Sequence, residues 1–182
     1  GDATWGLVGR YSSAVPLSRR GYANMGGDVG ILNRSGLVHL SQIVQEARDR
    51  EEDFALTKLI APTVNQSARD YGDNFGWELA FYPGASMLLL NVPKLSGATV
   101  EHEQFVMNTI TRAWCRFTDW PAHCFAVYND ELYFGTLGEV RKAWTGTSDV
   151  GEEIDSEVLQ AFSYFGNRNR QKHFRMVRPI IG

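Results

Sequence analysis

Two cysteines, Cys115 and Cys124, are all that the chain contains. That excludes the disulfide framework that staples small secreted domains. They fall on neighbouring predicted strands, where pairing is open, although free thiols packed as small hydrophobes are the commoner outcome. Long apolar runs are missing too. The longest, Met87 to Leu90 extended through Val92, is far short of the roughly 20 residues that span a bilayer. Nothing has the form of a signal peptide, and no membrane partner is expected. Charge of one sign is not in excess: the formal net charge of -3 over 182 residues gives no general attraction to nucleic acid, leaving only the option of a local basic patch.

Motifs for chemistry are equally sparse. Gly26-Gly27 and Gly135 to Gly138 lack the glycine spacing and following helix of a phosphate cradle. The two cysteines have one histidine beside them and no paired-ligand motif of a zinc site. Asp70, Asp73 and Asn74 lack the long Glu that completes a calcium loop. A nucleophile and base would have to come from His39, His102, His123 or His173. His123 and Cys124 are adjacent, so on a strand they point to opposite faces. His102, between Glu101 and Glu103, reads as a solvated loop residue. The expectation is a protein that is not an enzyme, with no catalytic, cofactor-binding or metal residues and no cofactor.

What the chain does have is sheet pattern. With 43% hydrophobic and 21% charged residues it can bury a core as one domain. From Glu103 to Trp144 short apolar runs are separated by turn residues: Phe105 to Asn108, Trp114 to Phe117, Cys124 to Tyr128, Leu132 to Gly135 and Glu139 to Ala143. The tightest link is Asn129-Asp130, whose side chains tolerate positive φ and bond their own backbone. Alternation inside the runs predicts antiparallel neighbours in a meander.

In chain order, Gly1 stands where an initiator Met would, and a strand pattern at Thr4 to Val8 follows at once, so a processed or excised piece of a longer protein is expected. Asp28 to Asn33 and Leu37 to Leu40 form a hairpin around Gly36. Ser41 is placed to cap a helix over about 42–50, whose charged end, Glu46 to Asp53, reads as solvated. Leu56, Ile60, Val64, Ala68 and Tyr71 then mark one face of a helix over 55–71. There Pro62 either kinks the helix or opens a second one, and Gly72 ends it. Such a helix reads as a brace laid on the sheet.

Trp77 to Tyr82 turns at Pro83 to Ser86 into Met87 to Val92. The latter lacks polar alternation and so predicts a central strand covered on both faces. Pro93 to Val100 reads as a flexible connection and Thr145 to Glu153 as a polar loop. Ser156 to Phe165, a turn at Gly166 to Asn169, and Gln171 to Ile181 form a last hairpin. The fold class is mainly β: antiparallel hairpins and meanders resembling propeller blades, with one or two helices. Blades of about 40 to 45 residues partition a single β-rich domain, 1–182, into units of about 1–50, 55–100 and 101–182.

GDVGILNRSGLVHLSQ, RDYGDNFGWELAFYPGASMLLLNVP, FVMNTITRAWCRFTDWPAHCFAVYNDELYFG, TGTSD and FSYFGNRNRQKHFRMVRP together resemble virion proteins of tailed bacteriophages and prophages, of the tail hub, nozzle or packaged-DNA stabilisation type. The resemblance runs from Gly26 onward, with its anchor at Phe105 to Gly135. It implies a propeller-like structural protein of the phage tail or head-to-tail connector that oligomerises. The implied partners are copies of itself and neighbouring portal, adaptor and tail proteins, in the virion and, during assembly, in the host cytoplasm. Three blades do not close a ring, and an unclosed set leaves bare strand edges.

Two further destinations follow from the residues. Dense aromatics, with Trp77, Trp114 and Trp120 near Asp119 and Asp130, suit a glycan-binding or glycan-processing module, although sheet cores use the same side chains. Arg168, Arg170, Lys172, Arg175 and Arg178 fall mostly on one face of a strand. They are the candidate interaction face, for an acidic neighbouring subunit, for DNA in a channel, or as edge protection.

Overall fold

The computed structural model describes residues 13–45, 55–96, 99–146, 148, 153, 169 and 171. The chain divides into two compact units, Gly1–Thr145 and Gly146–Gly182. In the second unit Asn169 lies in a turn. The hairpin expected there, the strand expected at Thr4 to Val8 and the charged run Glu46 to Asp53 lie outside the described residues.

The first unit is mainly β, with three antiparallel sheets and two helices among the described residues. Sheet one is β1 (Tyr22–Asn24), β2 (Val29–Asn33) and β3 (Gly36–His39). Helix α1 (Leu40–Gln45) follows, and a 3-10 turn (Lys58–Ile60) leads into α2 (Ala61–Tyr71). Sheet two has the order β4-β5-β6-β7, from Glu78–Tyr82, Met87–Ser96, Thr99–Asn108 and Trp114–Phe117. Sheet three is β8 (Cys124–Tyr128), β9 (Glu131–Gly135) and β10 (Val140–Lys142).

Side-chain alternation on sheet two builds two cores from one set of strands. Leu79, Leu88, Leu90, Val92, Phe105 and Met107 pack with Val64 and Ala68 of α2 and with Leu32 and Leu37 of sheet one. Leu89 and Val106, on the opposite face, pack with Phe125, Leu132 and Phe134 of sheet three. The central position expected for Met87 to Val92 is therefore met. β5 lies between β4 and β6, and Leu88, Leu89 and Leu90 are wholly buried. Burying each is worth roughly 2 kcal/mol of transfer free energy.

Pro62 opens α2 in its first turn, where its missing N–H breaks no helical bond. The face expected of that helix is the one packed on the first core, with Leu56, Ile60 and Tyr71 beside Val64 and Ala68. Gly36 makes its turn at φ +118°. A Cβ there would lie 2.2 Å from Thr57 Oγ1, the atom that accepts the Leu37 N–H at 3.1 Å.

Four expectations need correction. Ser41 does not cap α1 but lies inside it, and its N–H and hydroxyl both donate to the Asp28 carboxylate. Those contacts hold the Asp28 carboxyl below its ordinary pKa. Pro93 to Val100 is not a flexible connection: its described residues belong to the long β5–β6 hairpin, paired from Met87↔Asn108 to Ser96↔Thr99. That hairpin takes His102 out of the expected loop. The meander is also not continuous, since β7 closes sheet two while β8 opens sheet three. Between them Asp119 turns at φ +63° and Pro121 has no N–H to pair.

Candidate functional site

Polar side chains in the middle of a buried sheet need partners, because an unmet donor or acceptor there costs about 1–3 kcal/mol. Sheet two carries such a row. Register places Glu78 opposite Asn91 and Asn91 opposite Gln104, on the face that looks toward sheet three. Asn91 and Gln104 are 0% exposed. Gln104 Nε2 donates to Asn91 Oδ1 at 2.9 Å and to the Trp120 carbonyl at 3.1 Å. Asn91 Nδ2 donates to the carbonyls of Gly76 at 3.2 Å and Ala122 at 3.1 Å.

These bonds tie the connector 118–123 to the face of sheet two. Glu78 extends the tie to the strands. Its Oε2 accepts the Phe125 N–H at 3.1 Å and lies 3.6 Å from Arg20 Nη1. One carboxylate thus touches the segment before β1, its own β4 and the start of β8. Burial pushes its pKa up, against the opposing pull of the Phe125 N–H and Arg20.

The next row on that face pairs Pro93 with His102. His102 is 8% exposed, and its ring meets that of His123 edge to face at 4.3 Å between centroids. Gly76, at φ +125°, passes so close that a Cβ there would lie 3.1 Å from His102 Nε2 and 3.1 Å from Pro93. Burial first and His123 second lower the His102 pKa to about 4, so the ring is neutral at pH 7.

Across the sheet, Glu103 is 3% exposed and forms ion pairs with Lys94 and Arg116. Burial and the Arg116 charge lower the Lys94 pKa. A cleft of about 470 Å³ lies beside this clamp, lined by Thr63, Gln66, Asp70, Tyr71 and Lys94 among others. A second, of about 250 Å³, lies between Ala23 and Asn24, β4 and the start of β8, with Glu78 in its wall.

Among the described residues no group of three or more His, Cys, Asp or Glu is placed to hold a metal ion. Asp70 accepts from Gln66 at 2.8 Å, Asp73 pairs with Arg34 at 3.8 Å, and Asn74 donates to the Pro93 carbonyl. Both cysteines are free and stand on different sheets.

The aromatics sit largely in the cores. Trp77 is buried with its N–H on the Tyr71 carbonyl, and Trp114 donates to the Leu56 carbonyl. Trp120 fills the second core against Phe117, Phe125, Phe134 and Trp144. Asp119 and Asp130 occupy turns at positive φ. The basic face Arg168, Arg170, Lys172, Arg175 and Arg178 lies outside the described residues.

Asn91 and Gln104 are not among the residues that the sequence marks as functional, and Glu103 enters there only as a neighbour of His102. Asn91 carries a signal as a lone polar residue in the run Met87 to Val92, whereas Glu103 and Gln104 sit in the polar run Glu101 to Gln104 and carry none.

Among the described residues, β1, β3, β4, β7, β8 and β10 each have a strand neighbour on one side only within the three sheets, with a single bridge from Arg20 on the other edge of β4. Sheet three is the barest. Tyr128 is 74% and Val140 73% exposed, and Val127, Leu137 and Trp144 are exposed too. No helix among the described residues is long and apolar enough to cross a membrane.

No protein-family model, no curated protein and no solved structure matches this chain.

Proposed function

We propose that this chain is a non-enzymatic structural component of a bacteriophage tail or head-to-tail connector, acting by assembly with copies of itself and with neighbouring portal, adaptor or tail proteins. The observation that carries the reading is the set of one-sided edge strands on three small stiff sheets, with exposed apolar side chains on β8, β10 and the loop between β9 and β10. Unpaired strand edges recruit backbone from another chain, and an apolar rim adds burial to that contact. The sheets act as propeller-like blades completed by neighbouring subunits. A ring of identical subunits needs heterologous contacts, so the surface around β8 and β10 meets a different surface of the next copy. The virion setting rests on the sequence resemblance anchored at Phe105 to Gly135.

Light scattering over a concentration series tests assembly directly. A mass that climbs to a closed multiple of the 20.4 kDa chain is expected. A strict monomer at the highest concentration, with no binding to purified portal or tail proteins, overturns the reading.

A further inference from the structure

The connector 118–123 joins sheet two to sheet three, and two kinds of contact hold it down. One is the amide row of Asn91 and Gln104, which does not titrate. The other is the contact between His102 of β6 and His123 of the connector itself. Among the described residues the cage around His102 is formed by Gly76, Pro93 and the His123 ring, none of which carries a carboxylate. Glu101 and Glu103 flank His102 in sequence, so alternation turns them to the other face, where Lys94 and Arg116 take Glu103. On the shared face the nearest acid in register is Glu78, across the Asn91–Gln104 row and engaged by Arg20 and the Phe125 N–H. Asp119 lies on the connector in an exposed turn, and Asp73, before Gly76, is paired with Arg34.

We propose that the His102–His123 pair is an acid-operated latch whose protonation releases the 118–123 connector from sheet two and loosens sheet three. A proton taken from solvent by His102 places a cation between Gly76, Pro93 and a second imidazole, with no counter-ion among the described residues of that cage. The relief is for the connector to lift and bring both rings into water.

The sign follows from the His102 pKa of about 4 against an ordinary 6.5. A depressed base contributes stability that is complete above pH 6.5 and is lost as pH falls toward 4. Linkage then raises the opening equilibrium on the order of a hundredfold between pH 7 and pH 4.

Hydrogen exchange on the full chain, corrected for intrinsic rates, reads this out. The His123 amide, which donates to the Gly135 carbonyl at 2.8 Å, is expected to lose protection on the order of a hundredfold at pH 4 while β5 amides keep theirs. His102→Phe is expected to keep His123 protected. Retained protection in the wild type at pH 4, equal loss in His102→Phe, or simultaneous loss across β5 overturns the latch. Should His102→Phe not fold, an NMR titration of the wild-type imidazoles decides. A His102 ring titrating below 5 supports the latch, and one titrating at 5 or above overturns it.

Discussion

Gln104 and Asn91 face each other across β6 and β5, fully buried, with Gln104 Nε2 on Asn91 Oδ1 at 2.9 Å. The amide groups left over turn outward to three carbonyls, those of Trp120, Ala122 and Gly76. Asn91→Leu would strand two of those carbonyls and part of Gln104 in an apolar interior. A loss of about 2–4 kcal/mol is expected, read as a lower denaturant midpoint with an unchanged slope.

Glu103 is the sole carboxylate in contact with both Lys94 and Arg116 among the described ion pairs. Only the carboxylate of this cluster is buried, with its side chain 4% exposed against 30% for Lys94 and 58% for Arg116, so removing it leaves two cations that water still reaches and the cost is moderate. Glu103→Ala is expected to destabilise by about 1–2 kcal/mol in urea unfolding.

Glu78 titrates in the opposite sense to His102. Burial raises its folded pKa, so its contribution is complete below the ordinary carboxylate range and is lost as pH rises through the folded value. Glu78→Gln keeps an acceptor for the Phe125 N–H and removes the charge. Thermal melts from pH 4 to pH 7 should show the variant gaining on the wild type as pH rises. A constant difference would contradict the assignment.

Gly36→Ala meets two obstacles at once, a φ of +118° and a Thr57 Oγ1 only 2.2 Å from the new Cβ. Strain alone is worth about 1–3 kcal/mol, and losing the Leu37 N–H bond to Thr57 adds to it. A fall in thermal midpoint of several degrees, about 4 °C or more, is the expected result.

Tyr128→Lys and Val140→Lys test the assembly surface. Both side chains are exposed, so monomer stability should move by less than about 0.5 kcal/mol, while the concentration-dependent mass should fall. An unchanged mass would shift the contact elsewhere.

Local pattern carried most of the secondary structure because its causes are local. Asn129 and Asp130 both turn at positive φ, Pro62 sits where a missing N–H is harmless, and an unbroken run of leucines marks a strand covered twice. Segment 93–100 reads as loop in isolation because Pro93, Ser96 and Gly97 are turn-forming residues. The pairing partners of Pro93 and Ser96 lie on the other arm of the same hairpin, and no local cue announces that register.

The sequence by itself determined the centres of most strands, though not β1 or the tip of the β5–β6 hairpin, which face of α2 is apolar, and that Met87 to Val92 is central, since each depends on residues within a few positions. Only the tertiary structure decided that the meander breaks at 118–123, that His102 is buried against His123, and that Asn91 and Gln104 hold the connector down. Those facts depend on hydrogen bonds and burial between residues far apart in the chain, whose free energy exists only once the sheets have stacked.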